Sequence, residues 1–287
     1  MISYSAGKYN RELKKMWKIC FGDSSKFIRF YFENIYKEEE TMVFFRENHP
    51  VASLQIIPYT IKLGMREVKA GYISGAMTLP EYRKQGIMEQ LLYFAFEEMK
   101  KKGMELSFLI PQNERIVGYY KRFDYREAFP LLIQRMKTKE IAEASVSSIR
   151  IVKSFSESDA DRWYPDYFRF LRQHENAVLK TKAHFELFLK ELLLDNGRIF
   201  LAENVGGMAF VTKNKDNCIV KELVYEDECT KNKLLYSIKK KYRCAELNLY
   251  LRDPRFRHQS AGMIKVLNRE TFPGGIPENV YMSMMMD

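Results

Sequence analysis

Apolar positions along the chain switch between a helical repeat and the alternation or short runs of strands. Leu13, Met16, Trp17 and Cys20 share one helical face. Asp23 or Ser24 is placed to cap a second helix that turns Phe27, Ile28, Tyr31, Phe32 and Ile35 inward. Residues 42–45 and 52–59 read as a strand pair with a turn at Asn48-His49-Pro50, and a further strand covers 70–78. A helix with Met88, Leu91, Leu92, Ala95 and Met99 on one side follows, and it stops at Lys100-Lys101-Lys102-Gly103. An apolar run at 106–110 leads to Pro111-Gln112-Asn113, a short helix and an aromatic block at 119–125. Residues 131–136 read as the last strand of a first unit, and the polar, Ala- and Ser-rich stretch 137–148 reads as a linker. Beyond it the pattern predicts a strand at 149–152, helices at 159–173 and 182–194, and strands at 198–203, 208–212 and 219–224. A helix at 230–241 and a strand at 247–251 complete the run.

Between the strand at 70–78 and its helix lies Thr78-Leu79-Pro80-Glu81-Tyr82-Arg83-Lys84-Gln85-Gly86-Ile87-Met88. A helix N-terminus carries unpaired N–H groups and the positive end of the dipole, and a glycine there lets a phosphate approach the main chain. Arg83 adds a side-chain cation, so the turn reads as a pyrophosphate site. In the second half the corresponding turn is Tyr225-Glu226-Asp227-Glu228-Cys229, whose three carboxylates would repel a pyrophosphate.

Strand, Pro-x-x-Arg-x-x-Gly, helix, strand, then Asn113 seven residues before Tyr120 and twelve before Tyr125 resembles the GNAT acetyltransferases, which move an acyl group from acyl-CoA to an amine. Asp124 stands where that family usually has Gly, and Asp tolerates left-handed backbone better than most residues. A narrower resemblance is to the enhanced-intracellular-survival (Eis) type. It rests on the bulky Met88, on Tyr120-Lys121-Arg122-Phe123-Asp124-Tyr125 and on Phe21-Gly22-Asp23. The resemblance implies an α/β fold of two tandem GNAT-like domains, each a mixed, mostly antiparallel sheet flanked by helices. Residues 1–138 form the catalytic domain and 148–287 a degenerate copy. Eis-type chains continue into a sterol-carrier-like domain that opens with a strand similar to 262–267. Only about twenty residues follow here, which leaves that domain out and lets 279–286 add one strand.

The resemblance further implies acetyl-CoA as co-substrate. Its pantetheine arm would lie along Ala76, Met77 and Thr78, and its pyrophosphate on Arg83, Lys84, Gln85, Gly86, Ile87 and Met88, with Asn113 as a further cofactor residue. Tyr120 is placed as the acid for the leaving thiolate, since a phenol stays protonated at neutral pH. Asp23 is either an attractor for a cationic amine or a plain helix cap. Tyr119, Glu81 and Glu127 are weaker candidates for a base or for a supporting place behind it. Whether the terminus at Asp287 reaches the cleft as the base is open.

Composition narrows the function classes. The 287 residues suit two domains, and no apolar stretch has the length of a membrane span. The start of the chain lacks a signal-peptide pattern, which points to a cytoplasmic protein. Cys20, Cys218, Cys229 and Cys244 lack metal-ligand spacing and read as reduced thiols, with no metal expected. His49, His174, His184 and His258 form no constellation and read as surface residues. A net charge of +10 keeps a basic nucleic-acid-associated module in view, but no nucleic-acid motif accompanies it, and the charge also suits a polyanionic cofactor. The leading reading is an N-acetyltransferase acting on a primary amine by direct attack, on a small molecule or a peptide. A non-catalytic CoA-binding or regulatory protein is the alternative within the fold. Oligomerisation is open.

Overall fold

The computed structural model of the protein describes all residues except 6, 8, 147, 215–216, 253–259 and 286–287. Its first half runs β1 (Ile2–Tyr4), α1 (Asn10–Phe21), α2 (Ser25–Asn34), β2 (Thr41–Arg46), β3 (His49–Leu63), β4 (Arg66–Thr78), α3 (Ile87–Lys101), β5 (Leu106–Leu109), α4 (Glu114–Lys121), β6 (Arg126–Pro130) and β7 (Leu132–Lys137). The second runs β8 (Ile149–Val152), α5 (Glu157–Gln173), β9 (Asn176–Leu179), α6 (Lys182–Leu194), β10 (Arg198–Ala202), β11 (Gly207–Asn214), β12 (Asn217–Val224), α7 (Glu228–Tyr242), β13 (Glu246–Leu251) and β14 (Ser260–Val266).

Two mixed, mostly antiparallel sheets result, each with helices on both faces. The alternation of side chains along a strand sorts the core into layers. Ile57 and Tyr59 of β3 face Leu13, Trp17 and Tyr31 of α1 and α2, while Leu54 and Ile56 face Leu91, Ala95 and Met99 of α3. In the second sheet α5 and α6 cover one face through Tyr167 and Phe185, and α7 covers the other through Leu234 and Ile238. Ser24 is the cap of α2, its hydroxyl accepting from the Phe27 N–H at 3.1 Å. The turn before β3 falls at Glu47 and Asn48, both left-handed, one residue earlier than expected.

The sheets do not follow the division at the linker. The first has the order β1-β2-β3-β4-β5-β14-β6, with β9 added along β3; the second is β7-β13-β12-β11-β10-β8. Residues 132–137, expected to close the first sheet, therefore pair with β13 in the second. Residues 260–266 come back from the far end of the chain and lie antiparallel between β5 and β6. Each half has given a final strand to the other. The physical reason is continuity. Only Leu131 separates β6 from β7, so one extended run passes from sheet to sheet. Pro130 has no N–H to carry the first ladder further. The strand β14 fits its slot on both faces, with Met263 in the core under α3 and Ile264 in the core under α1 and α2.

Residues 279–285 do not form a strand; the described tail makes one bridge, Ala177 to Tyr281. Its main chain is tied to both neighbours, with Val280 N–H donating to Ala128 and Tyr281 N–H to Asn176. Its side chains Met282 and Met285 enter the first core and Met284 the second.

Candidate active site

Strands β4 and β5 are parallel but pair only at Ala70–Leu106, Gly71–Ser107 and Tyr72–Phe108. From Ile73 to Thr78 β4 pairs, among the described residues, with β3 alone, so the sheet opens into a wedge whose far side has no strand partner. Gly75 bends β4 there. It has φ +59°, lies at a register shift against β3, and a Cβ on it would sit 2.6 Å from Trp17 Cζ3. The bare backbone lets the indole of α1 press against the wedge, which seats the helix.

The turn between β4 and α3 is built for an anion. Lys84 and Gly86 are left-handed, at φ +62° and +71°. The first N–H groups of α3 have no intrahelical acceptor and point out of the helix end. A Cβ on Gly86 would meet no atom within 4 Å, so the space above the turn is open to a ligand. Ile87 is buried beneath it and fixes the helix start. Arg83 Nε donates to the Thr78 carbonyl at 2.9 Å, which places its guanidinium at the wedge. The Cys20 thiol donates to the same carbonyl at 3.4 Å; burial raises its pKa and the nearby guanidinium opposes the rise.

A cleft of about 710 Å³ runs from the wedge across this turn to α4. Of the cofactor residues expected from sequence, all but Gln85 and Asn113 line it. The Gln85 amide instead donates to the Glu81 carbonyl at 3.1 Å. Asn113 is exposed and caps α4, its side chain accepting from the Arg115 N–H at 3.1 Å. Asp23 also lies off the lining; its carboxylate accepts from Trp17 Nε1 at 2.7 Å and so holds the loop after α1 against the indole. Cys20, Phe21, Arg115 and Arg122 line the cleft without having been expected there. Arg122 belongs to the Tyr-x-Arg-Phe block and carries a sequence signal. The other three depend on how α1 and α4 are packed. Charged side chains on the lining are Arg83, Lys84, Arg115 and Arg122 against Glu89, a field that favours a polyanion.

Tyr120 is on α4 with 8% of its surface exposed, and it forms part of the cleft wall. The rings of Tyr119 and Tyr125 pack at 5.4 and 5.7 Å from it. Burial pushes its phenol well above the ordinary tyrosine range, which keeps the proton on oxygen. Its hydroxyl has no hydrogen-bond partner among the described residues. Tyr125 is held instead by Ser107 at 2.5 Å. Asp124 takes the left-handed conformation that the family's glycine would supply, φ +62°, and its carboxylate pairs with Arg269 and Lys265.

The second half has a different turn. Asp227 caps α7, accepting from the Thr230 N–H and hydroxyl, each at 2.8 Å, and these bonds hold its carboxyl below its ordinary pKa. On the neighbouring strand β12, buried Glu222 accepts from the hydroxyls of Tyr281 and Ser283 at 2.7 and 2.6 Å. The tail therefore sits beside the place where a pantetheine arm would run.

Two histidines expected at the surface are packed. His174 stacks on Tyr281 with centroids 3.8 Å apart, and His184 stacks on Tyr59 at 4.2 Å. Their stacking partners are apolar rings, so burial lowers both pKa values, that of His184 to about 4. His258 and Asp287 lie outside the described residues. Among the described residues no three metal-ligating side chains converge, and no helix is long and apolar enough to cross a membrane.

Residues 3–128 match the family model for an acetyltransferase (GNAT) domain. The matched segment, from β1 into β6, is the part of the chain that builds the cleft. The chain's tandem two-sheet arrangement is shared with solved structures at low identity. A GCN5-related N-acetyltransferase from Kribbella flavida superposes with TM-score 0.73 at 18% identity, over 93% of this chain and 70% of that one. Eis1 from Mycobacterium abscessus gives 0.72 at 12%, over 94% and 75%. A putative acetyltransferase from Pyrococcus horikoshii gives 0.58 at 13%, over 98% and 95%. No curated protein matches the chain in sequence.

Proposed function

We propose that the protein transfers the acetyl group of acetyl-CoA to a primary amine by direct attack, in the cleft between β4, α3 and α4. The observation that carries this reading is the wedge after Tyr72, which opens onto the left-handed turn at Gly86 and ends at buried Tyr120. In this reading the pantetheine arm bonds to main-chain groups of residues 76–78 and completes the sheet. The pyrophosphate lies on the N–H groups at the start of α3, with Arg83 and Lys84 beside it. A neutral amine attacks the thioester carbonyl, a C–N bond forms, the nitrogen gives up its extra proton to water, and the tetrahedral intermediate expels a thiolate. Tyr120 gives that thiolate its proton. Asn113 acts at one remove, by capping the helix that holds Tyr120. A thioester is already activated, so the step needs no metal. We place the reaction in the cytoplasm, where acetyl-CoA is available and where the four free thiols stay reduced.

The test begins with wild-type turnover of acetyl-CoA over a panel of amines. Tyr120→Phe is then measured on the best acceptor. The ring still packs, so acetyl-CoA affinity by calorimetry should hold while turnover falls about a hundredfold, the scale of a lost general acid. A folded Phe variant with wild-type turnover would remove Tyr120 from the mechanism. A wild type that binds acetyl-CoA and acetylates nothing would overturn the transferase reading.

A further inference from the structure

A second concavity, about 630 Å³, lies between the exposed faces of α1 and α2. Its walls carry Arg11, Lys14, Lys15, Lys18 and Arg29 against a single carboxylate, Glu33, and Ile28 forms part of the floor. Among the described residues Arg11, Lys14, Lys15 and Arg29 make no ion pair, and Lys18 reaches only the carbonyls of Gly22 and Asp23. On α5, Arg162, Arg169 and Arg172 are each paired with a carboxylate. Five cations gathered in one groove with one carboxylate among them repel one another, and an anionic occupant would relieve that.

The stripe has a direction. Helical spacing puts Arg11, Lys14 and Lys18 in one row, with Phe21 at the edge of the same row, and Phe21 lines the acetyl-transfer cleft. From Arg11 to Phe21 is about 15 Å at 1.5 Å per residue. An extended peptide covers that in roughly five residues at 3.3 Å each.

We propose that this groove docks an acidic peptide segment whose nearby amine is the acetyl acceptor, so that the substrate is a protein or peptide with carboxylates flanking a lysine or an N-terminus. This rests on the acetyltransferase reading above. Among the described residues no aromatic side chain lines the groove, so it offers nothing for nucleobases to stack on, which favours a peptide over a single-stranded nucleic acid.

Binding of a fluorescein-labelled Glu-rich peptide with one central lysine is compared with a Gly/Ser-rich peptide and a single-stranded oligonucleotide of equal length. The Glu-rich peptide should bind tightest, weaken with added salt, and lose about tenfold in affinity in the Arg11→Glu/Lys15→Glu variant. Both substituted residues are solvent-facing, and acetyl-CoA affinity and the melting temperature should not change. The same variant should raise KM for acetylation of the Glu-rich peptide while turnover of a small neutral amine is unaffected. Equal binding of the acidic and neutral peptides, or an unaltered affinity in the variant, overturns the proposal, as does tighter binding of the oligonucleotide. Peptide binding with no acetyl-CoA affinity would sink the transferase reading and leave the docking surface standing.

Discussion

The turn after β4 and the turn after β12 hold the same place in two similar sheets, and their chemistry is opposite. At the first, a left-handed glycine leaves helix N–H groups open, and cations line the approach. At the second, Asp227 supplies its own anion to the helix end, and Glu226 and Glu228 flank it. A helix end satisfied by its own carboxylate has little to offer a phosphate. Beside it, the buried tail hydroxyls take up Glu222. In the proposed reading one fold keeps its architecture while a single turn decides whether a cofactor is received. The second half also has a structural role, since it supplies β14 and β9 to the first sheet.

Disturbing that role should cost the most. Ile264 is fully buried on β14, between strands of the first half. Ile264→Ala should destabilise by about 2–5 kcal/mol through lost transfer energy and a residual cavity. Because β14 and β7 tie the halves together, denaturant unfolding should shift as one transition, and bound acetyl-CoA should raise its midpoint. A variant in which the second half melts separately while the first keeps wild-type stability would refute the idea of exchanged strands.

This exchange is invisible to pattern reading, and the reason is physical. The mostly apolar run in residues 262–267 is compatible with a strand buried on both faces. It says nothing about which sheet offers two free edges. The same gap lets residues 131–136 pass for a strand of the nearer sheet. By contrast, the features around Gly86 are local, since left-handed backbone, helix start and cation all fall within a few residues. They are legible before any tertiary contact is known, as is Asp124 in its left-handed turn. Cys20 and Phe21 in the cleft wall, and Asp23 bonded to an indole, depend on the seat that Gly75 makes for Trp17. Helical periodicity cannot supply that contact. His184 escapes a surface position because of Tyr59, a partner more than a hundred residues away in sequence.

Gly86→Val probes the contrast between the two turns directly. A β-branched residue at φ +71° is strained and puts methyl groups where the pyrophosphate would lie. Acetyl-CoA should bind at least about tenfold more weakly, roughly 1.4 kcal/mol, in a protein that calorimetry shows to be folded. Asp227→Gly, which opens the second turn, should add no second binding event, because Glu222 and the tail still occupy the adjoining space. Unchanged affinity in the first variant, or a second site in the other, would overturn the division of labour.

A smaller change reports on how the halves are coupled through α6 and β3. His184 stacks on Tyr59 across that contact. Its pKa is lowered to about 4, first by burial and then by the charges of Lys180 and Lys37. An unfolded histidine titrates near 6.5. Between those values the unfolded chain takes up a proton that the folded protein refuses, so stability rises with pH and is lost as pH falls from about 6.5 towards 4. With the partly exposed ring taken into account, the loss at pH 5 should be about 1 kcal/mol. His174 and the carboxylates also titrate on the acid side, so the informative quantity is a difference. Gln at position 184 preserves a capping-box side chain at the third position of α6 and carries no charge at any pH. The stability of His184→Gln relative to wild type should therefore improve as the pH is lowered from 7 to 5. Parallel pH profiles for the two proteins would show that the ring is solvated and that this contact does not couple the halves.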